Sequence, residues 1–454
     1  MQPEQPSRPA APFQPDMNRQ FAHALRLMEH SYLNLFITGK AGTGKSTLLE
    51  HFQRHTGKKV AVLAPTGVAA LNVKGQTIHS FFGFKPGITP ENIAELRPGR
   101  RGELYKKLDT IVIDEVSMVR ADLLDCVDAF LRRHGRRPDL PFGGLQMIFI
   151  GDLYQLPPVV SREELSAFAG CYETPYFYDS RAFKDLPLRM IELTKIYRQQ
   201  DPEFIRLLNG LRDNSIDQAG LNRLNRRVEP DFEPPNEDFY ICLTTTNLSA
   251  RHINQLRLDK LEEPLFTFKA TISGAFSREY LPTAIELELK NGAQVMLLNN
   301  DMSGRWVNGS VGRIAGIQTE EHPAAVLVEL SDGKIVRVTP YTWEIFRYYL
   351  EDGRLLSELV GSFTQYPLTL AWAVTIHKSQ GKTFEKVMID MGRGAFAHGQ
   401  TYVALSRCTS LEGIILKQPL FKHHIWTDER IGVFMASLGA EKAEGTGEEE
   451  PVVP

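Results

Sequence analysis

From Asn18 to Val160 the chain alternates short apolar runs with segments of helical periodicity. The runs Leu33–Thr38, Val60–Ala64, Thr110–Ile113 and Gln146–Ile150 read as buried strands, and Ser46–His55 reads as a helix. This alternation predicts a parallel sheet covered by helices, with the polar loops after each strand gathered along one edge, where ligands bind. The stretch Ser117–Arg137 sets Leu123, Val127, Phe130 and Leu131 on one helical face. A second αβ pattern starts near Leu188, with strands at Phe239–Leu243, Leu368–Val374, Val387–Ile389 and Gly413–Leu416 and a helix at Thr401–Arg407. Between Glu262 and Val360 the period falls to two, with turns such as Ser331-Asp332-Gly333-Lys334, which predicts a small all-β insertion, read as a barrel. The fold class is α/β with two parallel-sheet domains. The expected divisions are 18–186 for the first domain, 187–261 with 361–438 for the second, and 262–360 for the insertion.

The loop after the first apolar run is Gly39-Lys40-Ala41-Gly42-Thr43-Gly44-Lys45-Ser46, which fits the P-loop pattern. Its glycines let the backbone curl so that successive N–H groups point inward at a helix N-terminus and bind phosphate. Gly39, Gly42, Thr43, Gly44 and Thr47 belong to this cradle, Lys45 would reach the β- and γ-phosphates, and Ser46 would place its hydroxyl on Mg²⁺. The competing reading, a Gly-rich turn, does not account for the flanking strand and helix.

The Thr110–Ile113 run leads into Asp114-Glu115. An Asp-Glu pair by itself is usually a solvated turn. In a chain with a P-loop it is the expected metal-holding carboxylate, Asp114, and the expected base for the attacking water, Glu115. The fourth run ends in Gly151-Asp152-Leu153-Tyr154-Gln155-Leu156-Pro157-Pro158, where Gln155 could sense the γ-phosphate or simply sit in a Pro-stiffened loop. No second P-loop occurs. A second sheet domain without one suggests that it closes over a nucleotide held by the first, with Arg198 and Arg407 as arginine fingers on the transition-state charge.

The 454 residues allow about three domains, and 42% hydrophobic content suffices for folded cores. A net charge of −3 means that any nucleic acid must bind through a local groove rather than a global field. Cys126, Cys171, Cys242 and Cys408 are scattered, which argues against a disulfide framework or a zinc site. Residues 1–17 read as a disordered Pro- and Gln-rich leader and 439–454 as a disordered acidic tail. No run is long enough to span a membrane and no signal peptide is recognisable, so a bacterial-type cytoplasmic location is the default.

Two segments mix neutral donors with aromatic rings, a combination that suits a single strand. Pro65, Thr66 and Gly67 with His79, Ser80 and Phe81 form one, and Thr375, His377 and Lys378 the other. Phe81 and Phe82 could equally be core residues, and His79 a satisfied polar group. The basic clusters Arg132–Arg137 and Arg97–Arg101 could draw in a nucleic-acid backbone, or be solvated faces.

Taken in order, several segments resemble the motifs of superfamily-one helicases of the B branch, most closely the petite-integration-frequency (Pif-one) DNA helicases. They are the P-loop, Ala64–Ala70, Gly75–Phe82, Asp114–Met118, Phe142–Val159, Leu193–Gln199, Thr244–Asn254, Trp306–Gly312, Ala371–Phe384 and Gly399–Arg407. The resemblance implies RecA-like domains, a short wedge near 71–85, an SH3-like barrel in the insertion, and ATP with Mg²⁺ as cofactors. It implies an ATP hydrolase moving 5′-to-3′ on single-stranded DNA and unwinding duplex, G-quadruplex or DNA–RNA hybrid in replication, repair or recombination. Its partners would be single-stranded DNA and single-strand/duplex junctions, bound by a monomer whose dimerisation on DNA is left open. By the same resemblance Gln20 would read the adenine, Gly381 would face the nucleotide, and Thr245, Asn247 and Asn308 would touch DNA. The alternatives are a RecD-like helicase or translocase, an ATP-switched single-strand binder that does not unwind, and a P-loop phosphotransferase or protein-remodelling ATPase.

Overall fold

A computed structural model describes residues 16–444 apart from 86, 98–101, 161–163, 165–167, 185, 236–237, 302, 321–322, 352–353, 393 and 395–396. The expected leader up to residue 15, the tail from 445 and most of the Arg97–Arg101 cluster lie outside the described residues.

Six strands form the first sheet: β1 (Asn34–Gly39), β2 (Val60–Ala64), β3 (Gln76–Thr77), β4 (Thr110–Ile113), β5 (Gln146–Ile150) and β6 (Leu188–Leu193). All pair in parallel in the order β3-β2-β4-β5-β1-β6. Alternation along β1 divides the core: Leu35 and Ile37 pack with Phe21, Leu27, Leu48 and Phe52 from the two N-terminal helices, while Phe36 enters an aromatic layer with Phe81, Phe82, Tyr105, Phe130 and Phe177. The helix Arg19–His30 starts at Asn18, whose side chain accepts the Phe21 N–H.

This sheet corrects two expectations. The run at Leu188–Leu193 does not open the second domain but pairs with β1 along all of its six residues. Residues 71–85 do not stand out as a wedge. Gln76 and Thr77 pair with Leu63 and Ala64, and Ile78, Phe81, Phe82 and Phe84 are buried, because so apolar a run gains more from the core than from solvent.

The second parallel sheet comprises β7 (Ile241–Thr244), β18 (Ala373–Thr375), β19 (Val387–Asp390) and β20 (Ile414–Leu416), ordered β18-β7-β19-β20. Between β7 and β18 the described residues form ten antiparallel strands. A five-stranded sheet joins β11 (Gln294–Leu297), β12 (Val311–Gln318), β13 (Ala325–Leu330), β14 (Ile335–Val338) and β17 (Leu368–Leu370). A long ribbon of β15 (Tyr341–Glu351) and β16 (Arg354–Gln365) pairs with β9 (Thr271–Gly274), and β8 (Phe266–Lys269) pairs with β10 (Glu286–Leu289). The insertion therefore runs to Leu370. The apolar run expected as one strand, Leu368–Val374, is split: its first half completes the insertion's sheet and its second half returns to the parallel sheet.

The C-terminal helix Glu429–Glu444 crosses back to the first domain, where Ile431 is fully buried and the Phe434 ring stacks on Tyr178 at 4.1 Å. Residues 439–444, expected to be disordered, are helical, and 429–438 pack on the first domain rather than the second. Among the described residues no helix is long and apolar enough to cross a membrane.

Candidate nucleotide and nucleic-acid sites

At the end of β1 the chain needs conformations that only glycine takes cheaply. Gly42 and Gly44 have φ of 79° and 87°, and a Cβ on Gly42 would sit 2.6 Å from Arg198 Cβ. Beyond Gly44 the helix Lys45–His55 opens with its N–H groups uncapped by any side chain, the arrangement that binds phosphate. The Lys45 ammonium donates to the carbonyls of Gly39 (2.7 Å) and Lys40 (3.1 Å). Burial pushes its pKa down, while Asp152, Glu115 and Asp114 pull it up.

A cavity of about 470 Å³ lies over this loop. Gly42, Thr43, Gly44, Lys45, Ser46, Thr47, Glu115 and Gln155 line it from the first domain, and Gly381, Thr383 and Arg407 from the second. Arg198 completes the ring, but it is not a second-domain residue as expected: it follows β6, lies against Gly42, and bridges to Thr383 Oγ1 (2.8 Å) and the Ser406 carbonyl (3.0 Å). Arg407 donates to the Val403 carbonyl (2.9 Å) and Ser406 Oγ (2.9 Å). Both guanidinium groups thus bond to neutral oxygens, and burial disfavours the charge of each. A buried Arg407 with a half-buried Arg198 and Lys45, all facing one cavity, forms a site for a polyanion.

Asp114 is buried and Glu115 half-buried at the end of β4, and desolvation raises both pKa values, that of Asp114 to about 7 with Glu115 as the second cause. A carboxylate held so high gains most from an adjacent cation. With Ser46 at the helix start, this donor set of hydroxyl and carboxylate fits a hard divalent ion such as Mg²⁺. Among the described residues no group of three or more His, Cys, Asp or Glu side chains could hold a metal by itself, so such an ion would depend on the nucleotide's oxygens. Asp114 stands behind the cavity wall rather than in it.

Several contributors were not singled out from the sequence. Asp152 forms a buried ion pair with Arg212 (3.0 Å), and it also accepts from Gln155 Nε2 (3.3 Å). The Tyr402 hydroxyl accepts the Ala41 N–H from across the cleft (2.9 Å), tying the P-loop to the second domain. Gln380 donates through Nε2 to Glu115 Oε2 (3.2 Å) and Gln155 Oε1 (3.4 Å). Arg212 closes a helix whose apolar face is Phe204, Leu207, Leu208 and Leu211, and a charge continuing that face was the available signal. Gln20 is placed otherwise than expected: its Oε1 accepts from the N–H and hydroxyl of Thr194, while Asp16 and Phe21 line the cavity near it. Gly39 lies beneath the loop against the Leu193 carbonyl, not on the cavity wall.

A second cavity, of about 580 Å³, separates the first domain from the insertion. Pro65, His79 and Ser80 line it on one side and Glu279, Tyr280 and Arg347 on the other. Thr66 is exposed and N-caps the helix Gly67–Asn72 through the Ala69 N–H; Gly67 is buried against the Glu279 backbone. The first domain and the insertion are also joined by Tyr280 OH, 2.8 Å from Thr77 Oγ1, and by Asn308 Nδ2, which donates to Asn72 Oδ1 (3.2 Å). Asn308 also accepts from Lys382 Nζ (2.6 Å). On the second sheet's edge, Thr245, His377 and Lys378 lie in the adjacent loops after β7 and β18, and Asn247 opens the helix Asn247–Asp259 that follows β7.

Two expected nucleic-acid contacts are not available. Phe81 is 1% exposed and packs edge-on against Tyr105 and Phe82, so it cannot stack on a base. Thr375 is buried and its hydroxyl is used by the Lys378 N–H. The basic run is also largely spent internally: Arg132 pairs with Asp128, and Arg136 donates to the Lys106 and Leu108 carbonyls.

Two parallel-sheet domains sharing one P-loop cavity, with arginines closing it, define a two-domain P-loop NTPase of the RecA-like kind. The profile of the PIF1-like helicase family matches residues 19–219. The ATP-dependent DNA helicase Pif1 of Campylobacter jejuni is 31% identical over 404 residues, covering 84% of this chain and 88% of the relative. Its counterpart from Psychrobacter is 32% identical over 448 residues, 84% of this chain but 65% of the relative, so the chain spans under two thirds of that protein. Structures of Bacteroides Pif1, 36% identical, superpose with TM-scores of 0.86 unliganded (96% of this chain, 100% of that one) and 0.85 with ADP-AlF4 (94% and 98%). The same protein bound to single-stranded DNA scores 0.67 at the same 94% and 98% coverage. The chain belongs to the PIF1-like helicase family.

Proposed function

We propose that this chain is an ATP-dependent DNA helicase that moves 5′-to-3′ along a single strand and opens duplex ahead of it. The observation that carries the reading is the nucleotide cavity itself, whose catalytic groups come from both sides of the domain cleft, so that binding and hydrolysis change how the domains meet. Glu115 accepts a proton from water as the water oxygen bonds to the γ-phosphorus and the bond from that phosphorus to the β–γ bridging oxygen breaks, releasing ADP and phosphate. Arg198, Arg407 and Lys45 balance the charge that develops on the transferred group. A bound Mg²⁺, held by Ser46 and with Asp114 beside it, would supply further charge neutralisation on the phosphate oxygens.

The strand would run past Thr66, His79 and Ser80 on the first domain and Thr245, Asn247, His377 and Lys378 on the second, with Asn308 contributed by the insertion. Alternating grips on these two sets, driven by cleft closure, would ratchet the strand. Opening a base pair costs roughly 1.4 kcal/mol of stacking per step, which one ATP covers. The lower TM-score to the DNA-bound relative than to its unliganded form supports a rearrangement on DNA binding; the Tyr280–Thr77 and Asn308–Asn72 contacts would open in it to admit the strand. The enzyme would act as a cytoplasmic monomer at single-strand/duplex junctions.

The test is ATP-dependent unwinding of two partial duplexes, one with a 5′ tail and one with a 3′ tail. Unwinding of the 5′-tailed form alone is expected. Unwinding of the 3′-tailed form alone would reverse the direction, and hydrolysis stimulated by DNA with neither duplex opened would reduce the enzyme to a translocase or switch.

A further inference from the structure

Glu115 is the group that must take a proton from the attacking water, yet in this structure a donor from the other domain occupies one of its oxygens. Gln380 Nε2 places its two hydrogens on Glu115 Oε2 (3.2 Å) and Gln155 Oε1 (3.4 Å). A carboxylate oxygen that accepts such a bond is aimed at its donor rather than at water. Glu115 itself sits at φ 50°, ψ 42°, a left-handed conformation that a non-glycine residue adopts at a cost.

Gln380 is equally well placed for receiving a signal. It lies two residues beyond Lys378 in the loop after β18, and that loop is bonded to itself at almost every residue. The Lys378 N–H donates to Thr375 Oγ1 (3.2 Å), the Ser379 N–H to the Thr375 carbonyl (3.0 Å), and the Gln380 N–H to the His377 carbonyl (3.2 Å). Thr375 is the last residue of a buried strand. A displacement of His377 and Lys378 therefore reaches Gln380 through its own backbone bond, while the strand beneath stays fixed.

We propose that Gln380 is a brake on hydrolysis: without a nucleic-acid strand on His377 and Lys378 it holds Glu115 away from the attacking water, and a seated strand withdraws it. Gln380 is a positioning residue in this account, acting through Glu115 without touching the reacting atoms. The inference rests on the helicase reading, which assigns Glu115 as the base and the loop as part of the strand path. It would make single-stranded DNA an activator by removing one hydrogen bond rather than by building a site.

The experiment compares steady-state ATP hydrolysis of the full chain with and without saturating oligothymidylate, in the parent protein, Gln380→Met and Gln380→Asn. Methionine keeps the length of the side chain and removes both donors; asparagine keeps the amide one carbon short of Glu115. The brake predicts that Gln380→Met raises the DNA-free rate about tenfold, the worth of one bond to a charged group, so that stimulation by DNA falls by the same factor. The DNA-saturated rate should stay within about twofold of the parent. Gln380→Asn should behave alike, and it carries the test if the methionine variant melts early. A DNA-free rate that is unchanged, or that falls together with the DNA-saturated rate, overturns the brake and leaves Gln380 as packing or as an aid to the water. Failure of the underlying reading looks different: the parent would show no stimulation by DNA, or Glu115→Gln would keep its turnover.

Discussion

The two cavities flanking the first domain are of similar size and opposite chemistry. The nucleotide cavity, about 470 Å³, is ringed by Lys45, Arg198, Arg407 and Glu115, charged groups that are buried or half-buried. The cavity against the insertion, about 580 Å³, offers Pro65, Ser80, His79 and Tyr280, with Glu279 and Arg347 as its charges. A site that cleaves a phosphoanhydride needs fixed charge in a dry place, because only there does it act at full strength on the transition state. A track that must grip and release a polymer at every step gains from neutral donors and rings, whose individual contacts are weak and tolerant of sequence. On the proposed function, the difference between the cavities is the difference between chemistry and movement.

The sharpest way to break this comparison is to remove charge from the nucleotide side. Arg407→Ala should lower the DNA-stimulated hydrolysis rate by about ten-thousandfold while a fluorescent ATP analogue still binds. An unchanged rate would leave Arg407, with its bonds to Val403 and Ser406, as a structural arginine. Next in size, Glu115→Gln should retain binding of ATP and single-stranded DNA and lose roughly a thousandfold in turnover. Single-turnover hydrolysis measures it, and near-parent rates would move the base elsewhere.

The same contrast governs what could be read from the chain. The P-loop was legible because phosphate binding demands glycine where the backbone turns left-handed, and Gly42 and Gly44 occupy such positions. Asp114-Glu115 was legible as the end of an apolar strand. What escaped reading depends on partners remote in sequence. Nothing local distinguishes Leu188–Leu193 as the sixth strand of the first sheet, since parallel neighbours are joined by crossovers. Phe81 and Phe82 fit a stacking platform or a core equally well until Tyr105 and Phe130 are seen to enclose them. Arg198 was assigned to the wrong domain because the strand before it was, and Gln380 lies 265 residues from the glutamate that it holds. Local chemistry is written in neighbours; contacts across a cleft are not.

On the strand side smaller effects are expected. His79→Ala should weaken binding of an oligothymidylate by about tenfold, the scale of one stacked or bonded nucleotide, and leave affinity for the ATP analogue unchanged. A parallel loss of both would mean that His79 supports the fold of the first domain rather than the track.

Lys382 is the exception that sharpens the comparison most finely, a lysine largely enclosed on the strand side whose side-chain partner is the neutral Asn308 at 2.6 Å. Burial pushes its pKa down to about 8. The unfolded chain holds that proton up to roughly pH 10.4, so between these values unfolding takes up a proton and stability rises with pH. The burden of the buried charge is therefore fully present below about pH 8 and gone above roughly pH 10.4. Because the side chain keeps some access to solvent, Lys382→Met should stabilise the protein by only about 1–2 kcal/mol at pH 7, and the gain should vanish by about pH 10.5. Urea unfolding of both proteins across that range measures it. A cation kept at such a cost beside Asn308, on the path between Gly381 and the insertion, is expected to serve the strand, so the stabilised variant should hydrolyse ATP normally and unwind less duplex for each ATP spent. Stabilisation with full unwinding would show that the strand side needs no buried charge at all.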